Sequence, residues 1–135
     1  MKASIIRKET FNSAHRLFLD EWSEAKNLEV FGKCSYPHFH GHNYDLHLKV
    51  TGDIDPKTGF VYDVAELKQI IKEEVTHPFD HRNLNLDTTE FKDLIPTVEN
   101  IAKVIYHKIR KRIAPAYEIK VTLYETPRNY CEFPA

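Results

Sequence analysis

The residues best placed to do chemistry lie between Cys34 and Tyr44, in the stretch CSYPHFHGHNY. His38, His40 and His42 alternate there, and alternate side chains of an extended segment share a face. Imidazole is the commonest metal ligand among side chains, and zinc asks for nitrogens about 2 Å away. His40 and His42 are therefore a candidate ligand pair on one strand, with Gly41 between them allowing close backbone approach. Cys34 sits six residues before His40, near enough to share the site as ligand or as base. A single His-x-His is a weak metal signal, because a histidine on an apolar face is usually a satisfied core residue. His15 strengthens it: placed at another strand end, it could complete a three-nitrogen site between sheet neighbours. Three protein nitrogens leave open the fourth position that catalytic zinc needs. Cys34 as a fourth ligand would instead close the site and make it structural. As a free thiol beside the metal, Cys34 would be a base or nucleophile of lowered pKa.

Other polar residues carry less by themselves. Asp80-His81 lies in a polar segment where a carboxylate can fix an imidazole tautomer, although adjacent Asp-His also makes ordinary turns. Glu99 falls in the first turn of a predicted helix, where acids are expected for dipole reasons alone. Glu125 ends an apolar strand face, a costly place for a carboxylate without a partner. Cys131 has no partner pattern.

The elements that must position these groups are legible from periodicity. Ser4–His15 alternates as a strand with Ile5, Phe11, Ser13 and His15 sharing parity. Residues 20–30 read as loop or a short helix that Asp20 could cap, and residues 31–39 as a loop carrying Cys34. His42–Gly52 is a strand with Tyr44, Leu46, Leu48 and Val50 inward, so His40 and His42 point inward with them. After a turn, Phe60–Tyr62 reads as a short strand. Asp63 opens a helix in a capping-box pattern with Glu66, burying Leu67, Ile70, Ile71 and Val75. Pro78–Asp93 is irregular, and Thr97 caps a second helix with Ile101, Ala102, Ile105, Ile109 and Ile113 on one face. Glu118–Glu125 is a further strand, and Asn129–Phe133 an edge strand. The order strand-strand-helix-helix-strand-strand implies an α+β fold, a four-stranded antiparallel sheet backed by two helices.

At 135 residues the chain suits one domain spanning 1–135 with a core of its own. A formal charge of −1 provides no basic field for nucleic acid. The N-terminal segment is too charged for a signal peptide and no stretch suits a membrane span, so a cytoplasmic, soluble protein is expected. Two cysteines make no disulfide framework.

Taken in order, the stretches FNSAHRL, FGKC, HGHNY, GDIDPKTGFV, DHRNLN, PTVENIA and LYET resemble the 6-pyruvoyl-tetrahydropterin synthase family, including its 6-carboxy-tetrahydropterin synthase branch. They run from about Phe11 to Glu125, nearly the whole chain. The resemblance implies zinc on His15, His40 and His42, with His38 an extra histidine. It implies a catalytic Cys34 thiolate, and Asp80 with His81 as a proton relay from a neighbouring subunit. Glu125 would anchor the pterin ring, helped by Thr97 and Glu99, because a carboxylate accepts two adjacent donors. The implied assembly is a homohexamer, a dimer of trimers with active sites between subunits.

The implied reaction is that of a carbon-oxygen lyase on 7,8-dihydroneopterin triphosphate, eliminating triphosphate to give 6-pyruvoyl-tetrahydropterin. Zn²⁺ is the implied cofactor, with Mg²⁺ a further candidate. The carboxy branch would release acetaldehyde and triphosphate from the same substrate, on the way to queuosine. The five residues between Cys34 and His40 resemble the pyruvoyl branch, whereas SYPHF and Val98 depart from its usual residues. A non-catalytic pterin-binding homologue is the alternative of another class.

Overall fold

The computed structural model describes residues 1–135. Two long strands form its centre: β1 (Lys2–His15) and β2 (His40–Asp53) pair antiparallel along their whole length, from Lys2 opposite Asp53 to His15 opposite His40. The pleat sends Phe11, Ser13 and His15 of β1, and Tyr44, Leu46, Leu48 and Val50 of β2, to the buried face. Phe11 stacks on Tyr44, their ring centroids 5.0 Å apart.

Between these strands lie α1 (Glu24–Phe31) and a tight helical turn, Gly32–Ser35, that carries Cys34. Ser23, rather than Asp20, caps α1: its hydroxyl accepts from the Lys26 amide. After β2 come α2 (Val64–Ile71), a wider turn over Lys72–Thr76, and α3 (His77–Phe79). Asp63 caps α2 through the Ala65 amide. Leu67, Ile70, Ile71 and Val75 are buried as their spacing predicts. Then follow β3 (Arg82–Asn83), α4 (Leu84–Asp87), α5 (Val98–Arg110), β4 (Glu118–Tyr124) and β5 (Tyr130–Phe133). Thr97 caps α5 by accepting from the Asn100 amide. Ile101, Ala102, Ile105 and Ile109 join the core under the sheet, and Ile113 does so from beyond the helix end.

The α+β expectation therefore holds, with helices packed on the sheet. Two details differ. The sheet has five strands in the order β3-β1-β2-β4-β5, because Arg82–Asn83 pairs parallel with Ser13–Ala14. Two residues carry no periodicity to read. Conversely, Phe60–Tyr62 forms no strand. It follows β2, whose two edges are already occupied by β1 and β4, so it cannot fold back as a hairpin on the strand that precedes it.

Candidate active site

The β1–β2 register builds the first part of the site. His15 lies directly opposite His40, and His42 is opposite Ser13, so all three imidazoles stand on one face at the open end of the pair. A Cβ on Gly41 would come within 3.3 Å of the Ser13 carbonyl oxygen; the glycine lets the strands approach there. The His15 ring lies 4.5 Å from that of His40 and 5.1 Å from that of His42, centroid to centroid. One ligating atom from each histidine falls within 4.8 Å of the others.

Hydrogen bonding fixes which nitrogen is offered. His15 Nδ1 lies 2.8 Å from the Pro96 carbonyl oxygen, which can only accept, so Nδ1 carries the proton and Nε2 keeps its lone pair. The Tyr44 hydroxyl lies 3.3 Å from the same Nδ1. The Nε2 atoms of His15, His40 and His42 are buried and have no hydrogen-bond partner. Three bare imidazole nitrogens facing one another match the donor set of a transition-metal ion. Burial, followed by the charges of the other two imidazoles, lowers His15 to about 4, against a raising contribution from the Pro96 carbonyl. Burial also lowers His40 and His42, so the rings are neutral ligands near neutral pH.

Cys34 is held close by the chain that leaves β1. The Leu17 amide donates to its carbonyl at 2.9 Å, and Arg16 Nε donates to the Ser35 carbonyl at 2.7 Å. The Arg16 backbone is gripped on both sides by Asn85, whose amide accepts from Arg16 N and donates to Arg16 O. The thiol does not join the three-imidazole group, so the fourth metal position is not closed by sulfur. Burial, then the charge of Glu125, raises the Cys34 pKa in the metal-free chain. Both cysteines are free thiols.

Thr97, Glu99 and Glu125 come together in one cleft of about 510 Å³, with Leu17, Val98, Arg128, Asn129 and Tyr130. Glu125 also reaches the histidines: Oε2 is 3.9 Å from His15 Nε2 and Oε1 is 4.0 Å from His42 Nε2. Burial raises its pKa, opposed by His40 and reinforced by Glu99. The cleft and the three imidazoles are thus one site with Glu125 at the join.

Asp80 and His81 line neither the cleft nor the imidazole group. They occupy a corner at the β3 edge, where Asp80 Oδ1 accepts from the Asn12 amide and Oδ2 lies 3.0 Å from His81 Nδ1. The Asn12 amide, with smaller help from His81, holds the Asp80 carboxyl below its ordinary range. His81 has φ 59°, a left-handed conformation that histidine adopts more readily than most residues, and its side chain is 82% exposed. His38 is exposed and stands apart from the imidazole group.

Residues 4–135 match the model of the family described as 6-pyruvoyl tetrahydropterin synthase. The chain belongs to this family. It is 40% identical over 128 residues to a human protein named 6-pyruvoyl tetrahydrobiopterin synthase, covering 95% of this chain and 88% of that one. The solved structure of 6-pyruvoyl tetrahydropterin synthase from Caenorhabditis elegans superposes with a TM-score of 0.92 at 38% identity, covering 98% of this chain and 95% of that one. A Pyrococcus furiosus protein named dihydroneopterin monophosphate aldolase is 35% identical over 126 residues, 93% of this chain and 91% of that one. The relatives of this chain are thus named for more than one reaction.

Within this family frame, sequence reading missed the Pro96 carbonyl that sets the His15 tautomer, and Arg128 and Tyr130 in the cleft wall. Backbone carbonyls leave no residue-type signal. Pro96 is nonetheless visible in hindsight as the residue before the Thr97 cap, where the turn into α5 brings its carbonyl to β1.

Proposed function

We propose that this family member is a zinc-dependent carbon-oxygen lyase that converts 7,8-dihydroneopterin triphosphate to 6-pyruvoyl-tetrahydropterin and triphosphate. The observation that carries the reading is the set of three unpartnered Nε2 atoms at one end of an acid-lined cleft, with a free thiol nearby. The names of the human and nematode relatives support the same product.

His15, His40 and His42 would hold the zinc, which when bound supplies Lewis-acid polarisation of the substrate side chain and positive charge near the thiol. Magnesium, a hard cation that favours oxygen ligands, suits the substrate phosphates better than three imidazoles. The Glu125 carboxylate accepts from the ring N–H and amino group of the pterin, and the Thr97 hydroxyl and Glu99 at the start of α5 border the same ring. Thr97 Oγ1 already accepts from the Asn100 amide, so its O–H remains free to donate. Cys34 takes the proton from a side-chain carbon. A thiol held high by burial is the stronger base once ionised.

Asp80 and His81 return a proton to the ring. Asp80 keeps the His81 proton on Nδ1 and leaves Nε2 to exchange with substrate. Because the pair stands apart from the cleft of its own chain, it would come from a neighbouring copy in a homohexamer of two stacked trimers. No helix is long and apolar enough to cross a membrane, in keeping with a cytoplasmic enzyme for a highly charged substrate.

The test is product identification. Zinc-loaded protein is incubated anaerobically with 7,8-dihydroneopterin triphosphate, and products are read by mass spectrometry with acetaldehyde assayed alongside. A 6-pyruvoyl product without acetaldehyde is expected. A 6-carboxy product with acetaldehyde overturns the product assignment in favour of the carboxy branch. Pterin binding without turnover marks a non-catalytic homologue.

A further inference from the structure

Glu125 is claimed from two sides. It follows β4 directly, and the pairing of Tyr124 with Asp45 brings the strand end beside β2 and its histidines. Its side chain is 19% exposed, and each oxygen faces a different imidazole, Oε2 toward His15 Nε2 at 3.9 Å and Oε1 toward His42 Nε2 at 4.0 Å. The Nδ1–H of His15 is committed to the Pro96 carbonyl, so its Nε2 presents a lone pair. A carboxylate oxygen also only accepts. Two acceptors facing each other at this depth repel unless a cation lies between them. The same carboxylate lines the cleft with Thr97 and Glu99.

We propose that Glu125 has two alternating partners: in the substrate-free protein it ligates the metal held by His15, His40 and His42, and it leaves the metal for the pterin edge when substrate enters. The inference rests on the reading of the histidines as a metal site and deepens it. The distances suit such an exchange. A tetrahedral ion with bonds of about 2.0–2.2 Å sets neighbouring ligand atoms about 3.3–3.6 Å apart. The carboxylate stands just outside that range, so a small side-chain rotation closes or opens the contact. One carboxylate cannot use both oxygens on pterin donors and on the ion together. Substrate entry thereby uncovers a metal position as its ring is captured, which keeps that position guarded until there is a side chain to fill it.

The full-length chain loaded with Co²⁺ reports ligation through its visible absorption, and Zn²⁺ affinity follows from competition with a chelator. Glu125→Gln, nearly isosteric, is expected to weaken Zn²⁺ binding on the order of 10–100-fold and to alter the Co²⁺ band. Unsubstituted pterin, which has the ring but no side-chain hydroxyls, is the second probe. Added to the wild-type Co²⁺ protein, it is expected to shift the band toward that of Glu125→Gln, a readout that needs no variant. Unchanged Zn²⁺ affinity and an unchanged Co²⁺ band in Glu125→Gln overturn metal ligation. So does a wild-type band indifferent to bound pterin. If Glu125→Gln keeps its metal but loses pterin, ligation is wrong and the ring-anchoring role stands. If it loses metal affinity and binds pterin as the wild type does, ligation stands and the anchoring role falls.

Discussion

Two histidine-bearing regions of this chain use the same residue types to opposite effect. At the open end of β1 and β2, His15, His40 and His42 are withdrawn from water, held by strand register, and left with bare nitrogens. At the β3 edge, His81 stands in solvent beside a part-exposed Asp80, the pair held by the Asn12 amide on the carboxylate, by their own amides on the Asn12 and Thr76 carbonyls, and by a left-handed turn. Burial keeps the first group neutral and so suited to a cation. Exposure leaves the second group free to trade protons and to meet another surface. Environment, rather than residue type, separates histidines suited to hold a cation from one suited to meet solvent or another surface.

His40→Ala breaks the buried region most completely. It removes one of the three proposed ligands, and metal content measured by atomic emission is expected to fall to background with turnover lost altogether. Cys34→Ala and His81→Asn then separate chemistry from construction. Each is expected to retain zinc and to lose about 10²–10⁴-fold in rate, the usual contribution of general acid–base catalysis. Asparagine tolerates the left-handed backbone at position 81, and the site is exposed, so denaturant melts of His81→Asn should stay within about 0.5 kcal/mol of wild type. A large loss of stability there would mean that the corner is structural.

Acid sharpens the contrast further. His15 titrates at about 4 in the folded chain against an ordinary 6.5, so between those values the unfolded chain binds a proton that the folded chain refuses. Stability of the metal-free protein is therefore full above pH 6.5 and falls as pH drops towards about 4, by roughly 3 kcal/mol from this residue alone. Asp80 acts lower down: its lowered pKa stabilises the fold above its ordinary range and is lost as pH falls through the folded value. Urea midpoints from pH 7 to 4 check the His15 effect, which His15→Gln should flatten, and midpoints carried below pH 4 check that of Asp80. The smallest effect is Thr97→Ala, which removes the α5 cap and should cost about 1 kcal/mol of stability, with weaker pterin binding as the separate readout.

Much of this was legible from residue order. Alternation in β1 and β2 follows from two-residue pleat geometry, and the stripe of Ile101, Ile105 and Ile109 from helical geometry, so both could be read locally. Inward parity likewise put His15, His40 and His42 on apolar faces before any pairing was known. The two-residue β3 was not legible, nor was the loss of a strand at Phe60–Tyr62, because each depends on which sheet edges are free.

The sequence by itself determined the long strands β1 and β2, the helices α2 and α5 with their amphipathic faces, and the histidines as candidate ligands, since these depend on neighbours along the chain. Tertiary structure decided the rest. Strand register placed His15 opposite His40, the turn before α5 carried the Pro96 carbonyl to His15 Nδ1, and the end of β4 brought Glu125 to the imidazoles. Each of these joins residues far apart in sequence, with His15 and Pro96 separated by 81 positions. Contacts of that kind are set by how sheet and helices close on one core, which no local pattern encodes.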